Sequence, residues 1–150
     1  MTGATTSLTD LYRQTVLNHS RHPHNCRRPV RHDREAEGHN ALCGDKIHVY
    51  LCLENDALAD VAYELSGCAI SLASASMMSD AVTGKTTTAT RQTIDDFMRS
   101  LSDPQAGQLE GELAALNGVR DYPSRIRCAT LPWQTLRAAL DAVRETVTTE

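Results

Sequence analysis

The chain has 150 residues, with 19 acidic against 15 basic side chains and a formal charge of −4. That length suits one domain whose core needs no disulfides, so a single domain over residues 1–150 is expected, with residues 1–7 disordered. The acidic balance, with one Trp and one Phe for stacking on bases, argues against nucleic acid, and no apolar run approaches the roughly 18 residues of a membrane span.

The polar start MTGATTSLTD has neither the basic nor the apolar region of a signal peptide, so a cytoplasmic protein is expected. Then LTDLYRQTVLNHS reads as a short amphipathic helix capped by Thr9, with Leu8, Leu11, Tyr12, Val16 and His19 at helical spacing. The stretch RHPHNCRRPVRHDREAEGHN has no periodicity and reads as a long exposed loop. Over residues 45–53, Ile47, Val49, Leu51 and Leu53 alternate with Lys46, His48, Tyr50 and Cys52, as in a strand with one buried face. END turns it, and ALADVAYELSG returns as an antiparallel strand ending at Gly67.

CAISLASASMMSDAVTGK reads as a helix of small residues closed by Gly84, with Cys68 at its start. A further helix carries Ile94, Phe97, Met98 and Leu101, and LEGELAALNGV a shorter one stopped by Gly118. Leu136, Leu140, Val143 and Val147 mark a last helix starting near Cys128, with Pro132 in its first turn. Strands come early and helices follow, so the expected class is α+β, a small antiparallel sheet packed against several helices.

Five cysteines, Cys26, Cys43, Cys52, Cys68 and Cys128, are an odd and scattered set, unlike the paired framework of a secreted domain. No C-x-x-C pair exists, so any site is assembled from distant segments. In GHNALCGDKIHVYL, Cys43 and Asp45 stand two apart, the spacing that puts both on one side of an extended chain. The hairpin returns Cys68 beside Asp45, and Cys128 joins them if the last helix packs beside the helix that follows Cys68. Three thiolates and a carboxylate suit tetrahedral zinc or an iron-sulfur unit. Helix starts, together with Arg125 and Arg127 around Cys128, would favour the thiolates. Small buried core residues are the competing reading of the same cysteines, and the reading adopted for Cys52.

ALCGDKI, GCAISLASASMMSDAVTGK and YPSRIRCATLPW, with DLYRQTVLNHSRHPHN upstream, resemble the U-type iron-sulfur cluster assembly proteins, most closely the SufU branch, over about residues 8–140. The resemblance implies an α+β fold and a metal site of Cys43, Asp45, Cys68 and Cys128 holding Zn2+. It also implies a PLP-dependent cysteine desulfurase of the SufS type as partner, which hands persulfide sulfur to Cys43, making the chain a zinc-dependent sulfurtransferase working with downstream iron-sulfur assembly proteins. The alternative is a scaffold, not an enzyme, holding iron or a transient 2Fe-2S cluster on the same residues, and a purely structural zinc module is a third class. Scaffold-branch members carry His before the last cysteine and Leu-Pro-Pro-Val-Lys upstream of it, where this chain has Arg127 and YPSRI. The segment LSDPQAGQLEGELAALNGV resembles the SufU insertion.

His19, His22, His24, Cys26 and His32 invite a second metal reading; the plainer one is a solvated basic loop that steers an acidic partner. His39 is close enough in sequence to Cys43 to be an alternate ligand or proton carrier.

Overall fold

A computed structural model describes residues 8–103 and 105–149, so the expected disorder of residues 1–7 lies outside the described residues. The elements run α1 (Leu8–Arg21), β1 (Arg34–Asn40), β2 (Asp45–Glu54), β3 (Ala57–Ser66), α2 (Ala69–Val82), α3 (Thr87–Ser102), a 3-10 helix (Gly111–Asp121), α4 (Pro123–Leu140) and β4 (Val147–Thr148). The α+β class holds. The sheet order is β3-β2-β1-β4, with β1, β2 and β3 antiparallel and β4 parallel to β1, so the sheet is mixed, not wholly antiparallel.

Part of the expected loop is strand β1. Its inward residues are Ala36, Gly38 and Asn40, too small or polar to read as a buried face, while Glu35 and Glu37 point out. The reason is α4, which lies directly on it: a Cβ at Gly38 would collide with the Thr135 hydroxyl and the Leu131 side chain. The rest of the loop is anchored as well, since Cys26 bridges to Tyr63 at the free edge of β3 and the Tyr63 N–H donates to the Asn25 carbonyl at 3.3 Å.

Helix α2 is buried around most of its circumference, with Ser71 and residues 73–79 all inside. Its serines make this tolerable because each finds a partner. Ser74 Oγ donates to the Ala129 carbonyl at 2.5 Å and accepts from Trp133 Nε1 at 3.0 Å, locking α2 to α4. The Trp133 ring stacks on Phe97 of α3 with centroids 4.1 Å apart, extending the same core outward.

Helix starts and stops depart from expectation at four points. Helix α1 already includes Thr9, which therefore does not cap it. The 3-10 helix passes through Gly118 to Asp121. Helix α4 begins at Pro123, whose missing N–H costs nothing in a first turn, so Cys128 lies more than one turn inside and Pro132 sits in the middle. Val143 lies beyond its end and Val147 belongs to β4, paired with Gly38.

Candidate metal centre

The centre forms where a hairpin turn, a strand-to-helix junction and the flank of α4 meet. Asn40 pairs with Asp45 to close the β1–β2 hairpin, and Gly44 takes the left-handed conformation at φ 73°. Cys43 therefore sits at the tip of a turn and not in an extended segment; the turn, not strand alternation, brings its sulfur toward Asp45. The buried Asn40 side chain shapes this turn by accepting the Leu42 N–H at 3.1 Å.

Asp45, the first residue of β2, is fully buried. Its Oδ1 accepts the Cys68 N–H at 2.9 Å, and its Oδ2 lies 3.8 Å from Cys68 Sγ. Gly67 makes the approach feasible, since a Cβ there would run into the Asp45 carboxylate and come within 2.9 Å of Ser71 Oγ. Cys68 occupies the N-cap position of α2 with extended backbone and no capping bond from its side chain, which leaves the sulfur facing the carboxylate. Neither Asn40 nor Gly67 was singled out from the sequence; the signal for Gly67 was only its place directly before Cys68.

Cys128 projects from α4 with 3% exposure, and its Sγ lies 3.2 Å from Cys43 Sγ. Ligand atoms of Cys43, Asp45 and Cys128 all fall within 4.8 Å of one another, and Cys68 adjoins through Asp45. Burial pushes the Cys128 thiol pKa well up, and contacts with Cys43, Asp45 and Cys68 add to the rise. This reverses the expectation of a readily ionised thiol at a helix start. The two arginines do not relieve it: Arg125 lies over the Tyr122 ring, its guanidinium 4.5 Å from the centroid, and Arg127 is exposed. A cation would relieve it, because a thiolate buried beside a carboxylate is costly without a positive charge. The donor set fits zinc or iron, with Cys43, Cys68 and Cys128 as thiolates and Asp45 as the harder ligand.

The other candidates lie elsewhere. His39 faces the outer side of the sheet, where it lines an open cavity of about 650 Å³ with Lys46, His48 and Glu64, away from the thiols. Cys52 pairs with Asp60 near the far end of β2 from Asp45. Cys26 is exposed, and His32 bonds Glu35 at 2.7 Å on the outer face. Of the histidine group, His19 and His24 do come together, with Asp80 of α2 as a neighbour that the sequence had not offered.

Residues 11–142 match the family of the NifU-like N terminal domain. The chain belongs to that family. It is 37% identical over 134 residues to the zinc-dependent sulfurtransferase SufU of Bacillus subtilis (strain 168), covering 87% of this chain and 89% of that relative. It is 34% identical over 146 residues to the iron-sulfur cluster assembly scaffold protein IscU of Streptococcus pyogenes serotype M1, covering 91% and 87%. The fold is also that of the N-terminal part of a nitrogen-fixing NifU-like protein from Brucella abortus, with TM-score 0.78, 26% identity and coverage of 91% of this chain and 96% of that one. The fold and family are those of the iron-sulfur cluster assembly proteins of the IscU and SufU type.

Proposed function

We propose that this chain is a single-domain, cytoplasmic sulfur acceptor that takes persulfide sulfur from a PLP-dependent cysteine desulfurase and passes it to iron-sulfur assembly, with Cys43, Asp45, Cys68 and Cys128 as the ligands of one zinc ion. The observation that carries the reading is the asymmetry of the two paired thiols. Cys43 is exposed on a turn tip, and 3.2 Å away Cys128 is buried in α4. Only the first can reach into a partner.

Zinc bound here would hold the thiols as thiolates and guard them from oxidation. Cys43 is the nucleophile: its thiolate attacks the outer sulfur of the desulfurase persulfide, the bond between the two persulfide sulfurs breaks, and the desulfurase cysteine leaves as thiolate while Cys43 becomes the persulfide. Asp45 is held by the Cys68 N–H, so it keeps its place while Cys43 moves. Arg125 and Arg127 stand on the exposed start of α4, where they can meet an acidic partner surface.

The scaffold reading uses the same four residues for iron, and the likeness to IscU scaffolds supports it. Mass spectrometry after incubation with desulfurase and cysteine is expected to find added sulfur on Cys43 first, and Cys43→Ser is expected to lose all stimulation of the desulfurase. First labelling of Cys128, or a Cys43→Ser variant that still accepts sulfur at the normal rate, defeats the proposal. Protein isolated anaerobically that is brown with iron and sulfide would move the scaffold ahead.

A further inference from the structure

At the opposite end of α2 from Cys68, side chains from four segments converge. His19 in the last turn of α1 is 3% exposed, yet one ring nitrogen contacts Ser76 Oγ at 2.7 Å and the other Glu112 Oε2 at 2.9 Å. His24 stands beside it with ring centroids 4.7 Å apart, and its Nδ1 lies 2.5 Å from Asp80 Oδ2. Ligand atoms of His19, His24 and Asp80 all fall within 4.8 Å of one another. Access is open, since His19, His22, His24 and Glu112 line a surface cavity of about 210 Å³.

Further contacts hold the group in place. Asn25 Nδ2 donates to the second oxygen of Asp80 at 3.3 Å, and the His24 backbone N–H donates to Ser76 Oγ at 2.8 Å. If one His19 nitrogen gave up its bond to an ion, the other would still be held by Ser76 Oγ or Glu112, as the second nitrogen of a metal-bound histidine usually is. We propose that His19, His24 and Asp80, with Glu112 alongside, form a second site for a divalent transition-metal ion, distinct from the cysteine centre. Two imidazoles and a carboxylate, with no thiolate, select zinc, nickel, cobalt or copper(II) over magnesium or calcium. Asp80 follows Cys68 by twelve positions in the sequence, which places the sites roughly 18 Å apart along the helix. Binding must displace the His24–Asp80 hydrogen bond and one bond of His19, so this site fills after the cysteines. An ion there would tie α1, the loop after it and the segment bearing Glu112 to α2.

The test is a Co2+ titration of the full metal-free chain, read by absorbance and by the histidine ring resonances in NMR. Thiolate-to-cobalt charge-transfer bands report the cysteines; a second, weaker equivalent should broaden the His19 and His24 resonances without adding to those bands. His24→Ala and Asp80→Asn change side chains that are 52% and 41% exposed, so neither should disturb folding. Each is expected to weaken the second equivalent at least tenfold and leave the charge-transfer bands unaltered. A wild-type chain that binds no second equivalent, or variants that bind it unchanged, would overturn the proposal. Loss of the charge-transfer bands alone would instead count against the cysteine centre and leave this site standing.

Discussion

The two ends of α2 hold their polar side chains in opposite ways. At the Cys68 end, a fully buried carboxylate lies against the Cys68 sulfur and a buried thiol against that of Cys43, and burial drives the Cys128 thiol pKa up. At the Asp80 end, His19, His24 and Asp80 already have hydrogen-bond partners, so the cluster is satisfied as it stands. Where burial opposes ionising a thiol, a bound cation would contribute to folding itself, and where the polar atoms already bond one another it would be an addition.

The strongest way to break this contrast is Cys68→Ala. Loss of a ligand from the buried end should strip the tight metal and lower stability by on the order of 3 kcal/mol, since binding energy there is partly folding energy. Thermal unfolding with and without chelator checks it: treated wild type should fall to the level of the variant. Full metal content with an unchanged Tm would remove Cys68 from the site.

A subtler intervention is Gly67→Ala, which leaves every thiol in place and pushes a methyl group into the Asp45 carboxylate. Displacing one ligand by overpacking should cost about 1–3 kcal/mol and weaken metal binding roughly tenfold. Competition with a metal-sensitive dye measures the second effect, and unaltered affinity would mean that Asp45 is not a ligand. At the small end, replacing both Cys26 and Cys52 with Ser should shift stability by no more than about 1 kcal/mol and leave the metal content as it was. Loss of metal in that double variant would relocate the centre.

The cysteines, β2, β3, α2 and α3 were legible because their signals are local: alternation, small-residue density and a glycine before Cys68. β1 was not, because α4 crosses so close that Gly38 and Ala36 replace the branched residues a buried strand normally shows. The end of α4 was missed because Val143 and Val147 continue a helical spacing past Leu140, where the chain in fact leaves the helix and adds β4 to the sheet. Cys43 and Asp45 do lie close together, but a turn joins them where an extended segment was expected. His19 and His24 could not be tied to Asp80 at all, because that contact spans 56 positions between His24 and Asp80 and depends on how α1 lies on α2.

The contact between Cys43 and Cys128 closes a loop of 85 positions. An ion holding both sulfurs is a removable cross-link, and a cross-link of that span takes on the order of 4 kcal/mol of conformational freedom from the unfolded chain. It also cannot form on a nascent chain until α4 has been synthesised, so the earlier segments must do without it until then. On the proposed function, each time Cys43 let go to collect sulfur the protein would lose that cross-link, and the partner that draws the thiol out would have to hold the hairpin and α4 in register until it returned.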